Sequence, residues 1–146
     1  MSDVKISVSA IAGKAIEEIK HEMERRSYLA ANELRNASQM VLRGQRNGRR
    51  YRVPNTKVYY TASAPGEPPA VRTGVFRMSW QPSAYVNNGS YVSRVSSDVQ
   101  VGTRRKYLLG DILENGTSRM APRPHQQEIV DKATPEIVKI YSKNYF

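Results

Sequence analysis

Only two histidines, His21 and His125, and no cysteine occur among the 146 residues. Acid–base, nucleophilic and transition-metal chemistry all need such groups clustered with one another or with carboxylates. His21 sits among charged residues of an expected helix and reads as solvated. His125 follows Pro122 and Pro124 in an expected loop, and its only near carboxylate in sequence is Glu128. No set of Asp and Glu is spaced to hold a hard cation. Gly13-Lys14-Ala15 lacks the upstream glycine of a phosphate-binding loop, and no serine sits in a nucleophile elbow. The absence of cysteine excludes disulfides, thiolate zinc and iron–sulfur clusters. The expectation is a protein that catalyses no reaction and holds neither metal nor cofactor.

Arginine is the residue type whose spacing does suggest chemistry. Arg43, Arg46, Arg49, Arg50 and Arg52 crowd one short segment, and no acid occurs between Glu33 and Glu67. Crowded like charges repel unless something neutralises them, so the segment points to an anionic partner. Such side chains neutralise phosphates without reading bases, with salt-sensitive affinity. Tyr51 among them could stack on a base. The plainer alternative is a solvated loop that aids solubility. The whole chain is basic, with 23 Lys+Arg against 13 Asp+Glu and a formal charge of +10. No named nucleic-acid motif is present.

The elements that must carry these residues read as one α+β domain. Ile16, Ile19, Met23, Ala30, Leu34, Ala37 and Val41 recur at helical spacing, with Ser27 in the gap, and predict a helix over 10–42. Glu22 and Arg26 form a favourable i,i+4 pair on it. A helix that long on a small domain lies across a sheet or packs on a neighbour. Residues 43–62 read as a basic loop or hairpin, with short strands at Tyr51–Val53 and Lys57–Thr61 around Pro54-Asn55. Residues 63–72 are a Pro-rich loop or arm. Val75–Trp80 reads as a helical turn or the start of a strand. An antiparallel meander is expected over 78–103, turning at Asn87-Asn88-Gly89 and ending in Val99–Val101. Residues 104–115 read as a short helix. Ile129, Ala133, Ile137 and Ile140 predict a C-terminal helix over 124–143, which Pro135 should kink or split, with Thr134 as a new N-cap. The expected architecture is a small antiparallel sheet packed against the long N-terminal helix and the C-terminal helix. No stretch is apolar enough to span a membrane, and Met1-Ser2-Asp3 lacks the features of a secretory signal, so a protein folded inside a cell is expected.

Three segments, taken in order, resemble a known family. Pro65-Gly66-Glu67-Pro68-Pro69 is followed by Thr73-Gly74 with Phe76, Arg77 and Ser79. Tyr107 leads to Leu113-Glu114-Asn115-Gly116-Thr117, and Ala121-Pro122-Arg123-Pro124 precedes a helix. This order is similar to that of the head–tail joining, or tail-completion, proteins of tailed bacteriophages. The family usually has phenylalanine where this chain has His125, and Pro135 interrupts a helix that is often continuous there. The resemblance implies a structural virion protein forming a ring, of six subunits, at the head–tail junction. Its partners would be further copies of itself, the tail tube protein and the head connector or stopper. Genomic DNA would pass through the lumen in non-specific contact, and no membrane would be involved. The location would be the virion, and the host cytoplasm during assembly. On this reading Arg43, Arg46, Arg49, Arg50 and Arg52 lie near the lumen or on an anionic partner. Pro65, Gly66, Glu67, Pro68, Pro69 and Glu114 lie at subunit or partner interfaces, with Glu114 pairing an arginine across a subunit boundary. Thr73, Gly74, Gly116, Thr117 and Pro124 are structural motif residues, the glycines supplying tight turns and Thr73 a cap. The alternative is a monomeric basic RNA- or DNA-binding module. A basic nuclease would lack the clustered carboxylates that metal-assisted hydrolysis needs.

Overall fold

A computed structural model describes residues 8–145; the start at Met1–Asp3, read above as lacking a secretory signal, lies outside them. The first element is the long helix α1, Val8–Val41. Its C-terminal part buries Ala30, Ala31, Ala37 and Val41. The alanines let neighbouring elements approach the helix closely. The C-terminal helix α4 (Gln126–Ser142) packs there through Ile129 and Ala133, with Leu34 and Ile137 at the edge. Burying Ile129 contributes about 1.5–3 kcal/mol. Pro135 lies inside α4, which nonetheless runs unbroken over 17 residues. The expected split is therefore corrected. Thr134 does not open a new helix, because its hydroxyl donates back to the Val130 carbonyl at 2.6 Å.

The second layer is a hairpin, β3 (Gln81–Asn87) and β4 (Ser90–Ser96). Its two-residue turn is Asn88-Gly89, with φ of 50° and 78°. Asn and Gly accept such left-handed backbone, and this turn twists with the strands it joins. Pro82 and Ala84 alternate inward on β3. The Ser93 hydroxyl donates to the Ser27 carbonyl at 2.8 Å, pinning the hairpin across α1.

The fold is α+β, with a long N-terminal helix, small antiparallel sheets and a C-terminal helix. The continuous meander is corrected in detail, since the strands form three separate two-stranded pairs. β5 (Gln100–Val101) leaves the hairpin and pairs with β6 (Tyr107–Leu108). Tyr107 and Leu108 are thus strand residues, and the short helix that follows, α3, covers only Leu109–Asn115. β1 (Arg50–Arg52) pairs with β2 (Tyr59–Thr61), setting Tyr51 opposite Tyr60. Val75–Met78 forms one helical turn, α2.

Among the described residues no helix is long and apolar enough to cross a membrane, and no group of three or more His, Asp or Glu could hold a metal ion.

Candidate assembly and anion-contact surface

The β1–β2 ribbon stands out as an arm, and its arginines divide into two kinds. Arg46 turns inward. Its guanidinium donates to the Val41 carbonyl at 2.6 Å and to the Pro69 carbonyl at 3.2 and 3.3 Å, capping the end of α1. Partial burial pushes its pKa down, opposed by the negative charges of Glu67 and Glu128. Arg46 therefore leaves the set of candidate anion contacts. Arg43, Arg49, Arg50 and Arg52 remain exposed. The Arg50 guanidinium lies 4.8 Å from the centre of the Tyr59 ring, and Arg52 donates to the Thr56 carbonyl at the arm's tip. Tyr51, Val58 and Tyr59 are exposed beside them. The arm thus mixes positive charge with apolar area.

The base of the arm is tied down by Glu67. Its carboxylate accepts from the Asn47 backbone at 3.0 Å, the Asn47 side chain at 2.6 Å and the Ala64 backbone at 2.9 Å. The backbone hydrogen bonds from Asn47 and Ala64, with the Asn47 side chain and the Arg46 charge, hold its carboxyl below the ordinary range. Gly48 donates to the Ala62 carbonyl at 2.8 Å, and a Cβ at this position would overlap that carbonyl. Pro68 and Pro69 are buried, while Pro65 and Gly66 are exposed. The Gly66 amide donates to the Pro122 carbonyl at 3.1 Å.

The three segments that carry the family resemblance come together here. Phe76, Trp80 and His125 form an edge-to-face aromatic cluster with centroid separations of 5.5–5.8 Å. Gly74 is itself the N-cap of α2 at φ 85°, with no side-chain cap, and Thr73, one residue earlier, makes only a long 3.4 Å contact from the Val75 amide, so the expected Thr73 cap is corrected. Arg77 donates to the Gln39 carbonyl at 2.9 Å, and Ser79 to the Phe76 carbonyl at 2.6 Å. Gly116 has φ 75°, and a Cβ there would approach the Met120 carbonyl to 2.8 Å. Thr117 bridges to Met120 across that turn, and Pro124 is half-buried before α4.

Glu114 has a role within the chain. Its Oε2 accepts from the His125 amide at 2.8 Å and the Gln126 amide at 3.2 Å, so it caps the positive end of α4. The same oxygen lies 3.1 Å from His125 Nδ1. An arginine pairing with Glu114 across a subunit boundary would have to share its carboxylate with this cap. His125 is fully buried, so it occupies an aromatic position much as phenylalanine would. Its Nδ1 is also 3.0 Å from the Arg123 carbonyl, so a proton on Nδ1 satisfies both acceptors. Its carboxylate partner is Glu114, eleven residues away, rather than Glu128.

Sequence reasoning missed Arg26 as a structural residue. It is 1% exposed. Its guanidinium donates to the carbonyls of Tyr141, Lys143 and Asn144 at 3.2, 2.7 and 2.9 Å, closing the C-terminal end of α4. It stacks 3.9 Å from the centre of the Tyr145 ring and donates to Glu22 at 2.9 Å. The signal was present: Arg26 follows Met23 by three and precedes Ala30 by four, which puts it on the apolar stripe.

A cavity of ≈ 550 Å³ opens between the Pro-rich loop, α2 and α3, lined by Leu42, Val71, Phe76, Leu113 and Arg123 among others. No carboxylate or histidine lines it. No family model matches the chain, and neither a curated protein nor a solved structure does.

Proposed function

We propose that the chain is a structural, non-enzymatic protein of a tailed bacteriophage. It forms a ring, of six copies by resemblance, at the head–tail junction, completes the tail and joins it to the head connector. Genomic DNA passes through the lumen. One observation carries the reading. The Pro65–Pro69 loop, the Thr73–Ser79 segment and the Glu114–Pro124 segment are far apart in sequence yet interlock. The links are Gly66 to Pro122, Phe76 to His125 and Glu114 to the start of α4. Motif residues that build one shared framework are what a family signature requires, because backbone geometry dictates them.

Electron microscopy and light scattering of the purified protein, alone and with tail tubes, test this. Rings, or caps on one end of the tubes, are expected. A monomer that ignores tubes, connectors and further copies of itself would refute it. The exposed arginines and tyrosines of the arm favour one second reading, a monomeric module stacking on single-stranded nucleic acid. That reading requires tight, salt-sensitive binding without self-association.

A further inference from the structure

The two faces of the arm differ in chemistry. Arg50 pairs with Thr61, Tyr51 with Tyr60 and Arg52 with Tyr59. Residues directly opposite in an antiparallel pair share a face, and successive residues alternate between faces. One face therefore carries Arg50, Arg52, Tyr59 and Thr61. The other carries Tyr51 and Tyr60. Val53 with Val58 continues it at one end and Arg49 with Ala62 at the other. There the Val53 amide donates to the Val58 carbonyl, and the Ala62 amide to the Arg49 carbonyl, each at 2.8 Å.

Burial tells the faces apart. Val53, Tyr60 and Ala62 are half-buried, and Tyr60 and Ala62 line the ≈ 550 Å³ cavity with Leu42 and Phe76. This face leans on the body of the protein. Arg50, Arg52, Tyr59 and Thr61 are all exposed, so the arginine face points outward.

The outward face continues onto the body. Thr61 also lines a shallow groove of ≈ 370 Å³ with Arg43, Gln45, Arg46 and Val71. Among the described residues no carboxylate lines this groove. The acids nearest in sequence are Glu33 and Glu67, and the Glu67 carboxylate is already engaged by Asn47 and Ala64. Arg43, Arg50 and Arg52 thus follow one acid-free track from the end of α1 out along the ribbon. Lys57 is exposed at the turn beyond them.

We infer that this track binds the phosphate backbone of duplex DNA through Arg43, Arg50 and Arg52, without reading bases. Three features select this partner. The centre of a protein–protein contact is apolar and poor in charge, whereas Tyr51 and Val58 lie on the opposite face from the track. Binding a single strand takes successive rings for successive bases. The outward face holds Tyr59, and the Arg50 guanidinium already lies 4.8 Å from the centre of that ring. Duplex DNA admits a two-stranded ribbon in its major groove, and contacts to its phosphates ask only for positive charge within reach. The inference deepens the DNA contact of the ring proposed above. It gives that contact to three of the five clustered arginines, leaves Arg46 to the fold and turns Arg49 away.

The salt dependence of binding tests the track on the full chain, with a random-sequence duplex of about 30 base pairs followed by fluorescence anisotropy. Each phosphate contact contributes about 0.9 to the slope of log affinity against log salt. R50A/R52A should flatten the slope by about 1.8, and R43A by about 0.9. R49A, on the opposite face, should leave it unchanged. R50K/R52K should retain it, because a point charge suffices for a phosphate. Circular dichroism checks that each variant folds. A wild-type slope in R50A/R52A, an equal loss in R49A, or a wild type that leaves the duplex unbound at about 50 mM salt overturns the inference. Tighter binding of an oligothymidine of the same length, lost in Y59A, also overturns it and assigns the face to base stacking. Retained duplex binding in R50A/R52A with lost attachment to tail tubes overturns it in favour of an acidic protein surface. The ring reading fails separately, when microscopy shows neither rings nor tail caps while duplex binding still follows the variants.

Discussion

Replacing Arg26 by methionine keeps the apolar stem and the packing volume but removes the guanidinium. The structure specifies what is lost. Three carbonyls at the end of α4 lose a charged donor, Glu22 loses one of its two partners, and Tyr145 loses its stacked cation. Hydrogen bonds from a charged donor contribute about 1.5–3 kcal/mol each. The helix-end carbonyls recover part of this from water, because Lys143 and Asn144 are themselves exposed. Breaking a buried charged network by removing one partner costs about 3–5 kcal/mol. At about 4 °C per kcal/mol for a domain of this size, Tm should fall by roughly 10–20 °C. Thermal and urea unfolding followed by circular dichroism would measure it. R26K should recover only a fraction, since a point charge cannot span three carbonyls and the ring. A Tm within about 3 °C of wild type for R26M would refute the reasoning, because it falls below the smallest loss these bonds allow.

Three other outcomes follow from the same framework. E114A should lower stability by about 1–2 kcal/mol through loss of the α4 cap, read by urea titration of the monomer. Unchanged monomer stability with weakened assembly would return Glu114 to an interface. The paired Glu22 carboxyl is lowered from 4.5 to about 2, chiefly by hydrogen bonds from Arg25 and then Arg26. Its stabilising effect is complete above pH 4.5 and is lost as pH falls toward 2, so the urea midpoint of wild type should converge on that of E22Q across that window. P135A should raise stability by about 1–3 kcal/mol, because proline in a helix interior removes a hydrogen bond and crowds the carbonyl four residues back; an unchanged or lower midpoint would count against this.

What could be read from sequence was what local periodicity encodes. The stripe from Ile16 to Val41, the Asn88-Gly89 turn and the Ile129–Ile140 spacing each fix an element without distant contacts. The β5–β6 pair was hidden because Tyr107, Leu108 and Ile112 also satisfy helical spacing. Only the antiparallel match of Val101 to Tyr107 decides for strand. The site was legible as a set of residue types and not as roles. Five neighbouring arginines look alike in sequence, and it is Arg46, not Arg43 directly after α1, that turns inward onto the Val41 carbonyl. Glu114 precedes the turn at Gly116, and only the return of the chain at His125 shows which helix it caps. Arg26 could have been suspected, since an arginine at a stripe position must either break the core or satisfy something buried in it.

The interior uses of arginine change how the basic charge is understood. The side chains of Arg26, Arg35, Arg46, Arg77 and Arg123 all donate to backbone carbonyls. The apolar core is thin, built largely from alanines with Val41, Leu42, Trp80 and Ile129. A thin core leaves helix ends and loop carbonyls near the surface, where side chains or water must satisfy them. A guanidinium, with five donors in a rigid fork, closes several at once and stays charged doing so. A substantial part of the positive charge therefore serves the fold, and net charge by itself argues little for a polyanion. The charge that bears on partners lies on Arg43 and the arm, where the exposed guanidinium groups of Arg49 and Arg50 make no hydrogen bond among the described residues. That charge sits with exposed Tyr51, Val58 and Tyr59.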